Sequence, residues 1–106
     1  MIELNSRQRK ALEKHAQPLS AVIQIGQGGV TEGLISHVRE TMAANELIKI
    51  KFLDFKDEKR ELMNQICEAL DVTLVRIIGN VAILYKPAEK ADKRQYEKEL
   101  SKLVKA

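Results

Sequence analysis

Two apolar runs, residues 72–78 and 81–86, flank the dipeptide Gly79-Asn80, and this arrangement constrains the fold more than any other feature. Gly and Asn tolerate the positive φ that tight hairpin turns require, so β-branched runs on either side of them read as an antiparallel pair. Upstream, residues 20–25 and 47–53 also read as strands. Each is followed by a helix-length segment with apolar residues at helical spacing. The first carries Leu34, Ile35, Val38 and Met42, and the second carries Leu62, Met63, Ile66, Ala69 and Leu70. Strand–helix–strand units of this kind need parallel strands and right-handed crossovers.

The element order is therefore α-β-α-β-α-β-β. Residues 81–85, Val-Ala-Ile-Leu-Tyr, are almost wholly apolar, as suits a strand with neighbours on both sides. That places the fourth strand between the second and third. The expected fold class is α/β, with two layers and a four-stranded mixed sheet of order 1-2-4-3 in which strand 4 is antiparallel. The second and third helices share one face, and the other face is expected to be at least partly open. Asn5 and Gln8 form a capping-box pattern for a first helix over residues 6–16, stopped before Pro18. Thr31 is expected to cap a helix over 32–45, and Asp57 one over 58–70. Residues 1–87 read as a single domain. Residues 88–106 read as a charged tail, helical from the spacing of Tyr96, Leu100, Leu103 and Val104, which docks weakly or frays.

A chain of 106 residues has no room for a second core of ordinary size. The lone Cys67 excludes an internal disulfide framework and fits a reducing compartment. No apolar run approaches the roughly 18 residues of a membrane span, and no secretory leader is recognisable, so a cytoplasmic location is expected. The net charge is +3, and the excess sits at the two ends: residues 1–30 and 87–106 each carry +2.

Catalysis finds little to work with. His15 and His37 have no ligand partners at metal spacing, and Cys67 lies on the apolar side of its helix with no base suggested. Asp54, Asp57, Glu58 and Glu61 alternate with Lys56, Lys59 and Arg60, the pattern of a solvated, internally paired helix start. No enzyme activity, metal, cofactor or small-molecule substrate is expected. The tail's small apolar face and mixed charges also give no reason to expect a membrane partner.

The loop Gly26-Gln27-Gly28-Gly29 joins a strand end to a helix N-terminus, where backbone amides and the helix dipole favour an anion. The same glycines serve equally well in a turn that merely reverses the chain. No Gly-Lys-Ser/Thr follows, so this is no P-loop, and Thr31 stands where a dinucleotide fingerprint needs glycine. Lys49 and Lys51 point away from Ile48, Ile50 and Phe52. With a two-residue turn, Arg76 falls opposite Ile83, on the side of Tyr85. If that face is open, it carries Gln24, Lys49, Lys51, Arg76 and Tyr85, which are cations and one aromatic suited to gripping an RNA backbone. Tyr85 fits equally well packed under the first helix.

Taken together, Leu4-Asn5-Ser6-Arg7-Gln8-Arg9, Pro18-Leu19, the run Ile25-Gly26-Gln27-Gly28-Gly29-Val30-Thr31-Glu32-Gly33, Glu46-Leu47-Ile48-Lys49-Ile50-Lys51 and the run from Ile78 to Pro87 resemble the YhbY-type RNA-binding proteins. These are the stand-alone bacterial form of the CRM domain. The resemblance implies a fold like the C-terminal domain of translation initiation factor three and a Gly-x-x-Gly loop that contacts RNA, as in KH domains. It also implies association with ribosomal RNA in precursors of the large subunit. Carried over by position, Gly26, Gln27, Gly28 and Gly29 form the contacting loop. The sequence departs from the pattern in two places: Gln27 and Gly28 bring no cation, and Asn80 stands where a basic residue is common. The expectation is a monomeric, non-catalytic RNA-binding protein. Its loop amides and Thr31 lie at the helix start, and Arg7, Lys10, Lys49, Lys51, Arg76 and Tyr85 add charge and stacking. The alternative is a protein-interaction module that docks on ribosomal proteins through the open sheet face.

Overall fold

The computed structural model describes residues 2–104, so the last two residues of the expected tail lie outside it. The elements are α1 (Ser6–Ala16), β1 (Ile23–Ile25), α2 (Glu32–Ala44), β2 (Leu47–Phe52), α3 (Lys59–Leu70), β3 (Thr73–Ile78) and β4 (Val81–Tyr85). One turn of 3-10 helix over Ala91–Lys93 and the short α4 (Glu97–Lys102) follow. The sheet order is β1-β2-β4-β3. β1 runs parallel to β2, and β4 is antiparallel to both of its neighbours, as the hairpin and the apolar fourth strand dictate.

Local signals set several boundaries. The Asn5 side chain accepts the Gln8 amide at 2.8 Å and the Gln8 side chain accepts the Asn5 amide at 2.9 Å, which fixes the start of α1. Two expectations are corrected. β1 begins at Ile23 rather than at residue 20, although Val22 still donates to the Lys49 carbonyl. Asp57 does not cap α3. Phe55 takes a positive φ of 55°, the Glu58 amide returns to the Phe55 carbonyl, and this extra turn leaves Glu58 at the cap position without a side-chain bond.

The sheet separates two apolar clusters. On one face, α2 and α3 bury Val38, Met42, Met63, Ile66 and Leu70 against Ile23, Ile25, Ile48, Ile50, Phe52, Ala82 and Leu84. On the other, Leu12 and Ala16 of α1, with Leu4 and Leu100, cover Leu47, Val75, Ile83 and Tyr85. The second face is therefore closed at this end. A bulge between Leu74 and Arg76 helps, because the extra residue turns Val75 toward α1. What stays uncovered is the far end, where Gln24, Lys51, Val81 and Ile78 form one row across all four strands. Ile78 there is 52% exposed, and Val22, ahead of β1 and bonded at the level of Lys49, is 56% exposed.

The tail is anchored rather than loosely docked. Gln8 Nε2 donates to the Leu100 carbonyl at 3.0 Å and Asn5 Nδ2 to that of Leu103 at 2.9 Å. The Tyr96 ring packs edge-on to Tyr85 and tilted against His15. Glu46, nearly buried at the start of β2, accepts the amides of Ala88 and Gln95. Glu46→Ala is expected to cost about 1–3 kcal/mol by stranding two part-buried donors. Hydrogen exchange at Ala88 and Gln95 should accelerate with it. Unchanged exchange at both amides would show that Glu46 does not hold the tail.

Candidate nucleic-acid interface

The loop between β1 and α2 is a turn closed by the Gly29 amide donating to the Gly26 carbonyl at 3.0 Å. Gly29 has φ of +67°, and a Cβ there would lie 3.2 Å from the Phe55 ring, so geometry and packing both demand glycine. At Gly26 and Gly28 a Cβ would stand in open space and φ is not positive, so the turn itself does not require glycine at either position. Gly29→Ala is accordingly expected to cost about 1–2 kcal/mol, lowering the melting temperature by roughly 5–10 °C. A thermal melt matching the parent would exclude the Phe55 contact as the loop's anchor.

Of the loop amides, those of Gly26, Gln27, Gly28 and Val30 have no acceptor among the described residues. The Gly29 amide, expected to join them, is committed to the turn. Thr31 caps α2: its Oγ1 accepts the Leu34 amide at 3.1 Å, and its carbonyl accepts that of Ile35. The free amides thus lie at the positive end of a 13-residue helix, the setting that favours a phosphate. Glu32 in the first turn is a competing carboxylate, but it is exposed and, among the described residues, no ion pair or side-chain hydrogen bond fixes it at the loop.

Two further segments reach the same end of the sheet. One is residues 53–58, which bring Phe55 against Gly29. The other is the Gly79-Asn80 turn, whose carbonyl and side-chain oxygens take the Lys59 ammonium. The cation absent at Asn80 is thereby supplied from α3. Sequence alone puts Lys59 on a solvated, paired face, because its partners lie 20 and 21 residues away. Lys56 is exposed, and so is Lys51, the register partner of Gln24. Neither has a partner among the described residues.

The remaining candidates do not all gather here. Arg7 and Lys10 are exposed or nearly so, but they lie on α1, across the sheet from α2. Lys49 is a structural cation, since its Nζ donates to the carbonyls of Leu19 at 2.9 Å and Gln17 at 3.3 Å beyond the end of α1. Arg76 is exposed and pairs with Glu13 at 3.1 Å. Tyr85 is 2% exposed, under α1 and Tyr96, and so cannot stack on a base. Burial, with the nearby carboxylates of Glu46 and Glu97, pushes its hydroxyl up to about 12. Cys67 is buried and its thiol is pushed up to about 11, which removes its nucleophilic form at neutral pH. Among the described residues no group of three ligating side chains could hold a metal ion, and no helix is long and apolar enough to cross a membrane.

The CRS1/YhbY (CRM) domain model matches residues 4–86. The chain is 32% identical over 95 residues to "Probable RNA-binding protein YqeI" of Bacillus subtilis, covering 89% of this chain and 97% of that one. It is also 32% identical over 92 residues to a protein of Haemophilus influenzae named "RNA-binding protein", covering 86% and 93%. The solution structure of SAV1595 from Staphylococcus aureus superposes with a TM-score of 0.72 at 30% identity, covering 88% of this chain and 98% of that one.

Proposed function

The chain belongs to the CRS1/YhbY (CRM) domain family, and from that premise we propose that it is a non-catalytic RNA-binding protein that grips the RNA backbone through its Gly26–Gly29 loop. The observation that carries this reading is the group of uncommitted amides of Gln27, Gly28 and Val30 at the head of α2. A phosphate held there gains amide hydrogen bonds and the helix dipole, while Lys51 and Lys56, unpartnered among the described residues, attract neighbouring phosphates. Backbone contacts of this kind position a strand and read little sequence, so selectivity comes from RNA shape. The RNA is ribosomal, within precursors of the large subunit, and the protein acts as a cytoplasmic monomer during assembly. Residues 1–87 form the binding domain, and the tail braces α1 through Tyr96, Leu100 and Leu103.

Sedimentation of a cell lysate through sucrose at low and high salt tests the assignment. The protein should co-migrate with large-subunit precursors at low salt and leave them as salt rises, by about 0.7–0.9 log units in affinity per log unit of salt for each phosphate contacted. Migration at the top of the gradient under both conditions would detach it from ribosome assembly.

A second reading, docking on a ribosomal protein, draws on the uncovered end of the sheet, where Leu53 and Ile78 are each at least half exposed. It requires salt-tolerant binding to protein and little affinity for naked RNA.

A further inference from the structure

At the opposite end of α2 from the glycine loop lies a cleft of about 550 Å³. Its floor is apolar: Met42 and Ala43 from α2, Ala69 and Leu70 from α3, then Val72 and Pro87. Its rim carries Arg39, Lys86, Lys90 and Lys93 against one carboxylate, Glu89. Lys86 is accounted for within the fold. Its ammonium donates to the Leu70 carbonyl at the end of α3, near Asp71. Arg39, Lys90 and Lys93 are exposed and make no ion pair or side-chain hydrogen bond among the described residues. Lys90 and Lys93 belong to neither α2 nor α3; they bracket the single 3-10 turn Ala91–Lys93, too short for a helix dipole to explain two cations. The wall that presents them is held in place: Glu46 accepts the Ala88 amide, and Arg94 Nε donates to the Ala88 carbonyl at 2.7 Å.

We infer that this cleft is a second RNA contact, in which a nucleotide lies on the apolar floor while flanking phosphates pair with Arg39, Lys90 and Lys93. The inference rests on the RNA-binding reading above. Charge complementarity selects the occupant: three cations unpartnered among the described residues face one carboxylate above an apolar floor, in a cleft of about 550 Å³. The geometry also sets a length requirement. Along α2, the cleft residues Arg39 and Ala43 lie roughly 10 and 17 Å beyond Glu32 at the helix head. Four stacked nucleotides cover roughly 10 Å at about 3.4 Å each, and twelve cover roughly 37 Å. A stacked tetranucleotide held at the loop therefore ends near Arg39, at the edge of the cleft, and only the longer strand spans the cleft as well.

The test measures binding of a tetranucleotide and a dodecanucleotide, both single-stranded RNA, across a salt series. The proteins are the parent, K90E/K93E and a control, K98E/K102E, which makes the same charge change on α4. K90E/K93E should bind the tetranucleotide like the parent, lose about tenfold for the dodecanucleotide, and flatten its salt slope by roughly 1.4, two contacts' worth. The control should lose much less. Equal losses in the two double variants, or a dodecanucleotide slope equal to the parent's in K90E/K93E, would overturn the cleft assignment while leaving the loop reading intact. Parent protein that binds neither RNA would remove both. Retained RNA binding in K90E/K93E, with lost binding of an acidic peptide that the parent captures, would assign the cleft to a protein partner instead.

Discussion

Replacing Gly28 by aspartate is expected to lower RNA affinity roughly 30- to 100-fold while leaving the melting temperature close to that of the parent. The structure separates the two effects. A Cβ at Gly28 meets nothing within 4 Å, and the residue has no positive φ, so the loop accepts a side chain without strain. The carboxylate, however, sits among the amides of Gln27, Gly28 and Val30, where the bound phosphate belongs. Two charges about 4 Å apart repel by roughly 4 kcal/mol at an effective dielectric of 20. Screening at an exposed loop reduces this to about 2–3 kcal/mol. Gly28→Asn, the same size without the charge, should retain most of the affinity. If Asp and Asn weaken binding equally, obstruction is the cause and the amide cradle loses its role. If neither weakens binding in a folded protein, the loop is not the contact.

Leu12→Ala should produce the largest loss of stability, about 3 kcal/mol within the 2–5 kcal/mol range for buried leucines. Leu12 is fully buried and joins α1 to Leu47, Val75, Ile83 and Tyr85. Its other fully buried residue is Ala16; the remaining ties to the sheet are polar, with Arg9 Nη1 donating to the Leu74 and Val75 carbonyls at 2.8 and 2.6 Å and Glu13 pairing with Arg76. Truncation therefore loosens α1 together with the tail that hangs on Asn5 and Gln8. The melting temperature should fall by roughly 12–20 °C. Binding of a tetranucleotide at 10 °C should survive, because the loop lies at the head of α2, on the other side of the sheet. A drop of less than about 1 kcal/mol would mean that α1 is not structural, and the second face would again be available to a ligand.

The sheet is legible in the sequence because its signals are local. Gly79-Asn80 fixes an antiparallel pair, and the unbroken apolar run from Val81 to Tyr85 demands neighbours on both sides; together they specify the order 1-2-4-3. The register of Arg76 against Ile83 follows from the turn length. Beyond that point the bulge shifts the pairing so that Leu74 meets Leu84, and no residue type announces it. The cover over the second face is hidden for a different reason. Gln8 meets Leu100 and Asn5 meets Leu103 across 92 and 98 residues, and periodicity carries no information about such contacts. Tyr85 can be read as exposed or buried until α1 and Tyr96 are placed over it.

The glycine loop itself can be located from sequence, but the distribution of work within it cannot. That Gly29 serves the turn and Gly28 is free depends on Phe55 and on the backbone φ, both fixed by tertiary structure. Lys49 is visible as an outward-facing cation, yet only the path of residues 17–19 shows it bound to carbonyls. Lys59 gives no local signal, because its role depends on the hairpin turn beyond β3.

The most direct measurement is an amide NMR titration of the full chain with single-stranded RNA of about 12 nucleotides, at low and high salt. The expected result is that the largest shifts fall on Gln27, Gly28 and Val30 and fade as salt rises. Shifts confined to Gln24, Lys51 and Ile78, with the loop amides unmoved, would contradict a phosphate grip at the head of α2.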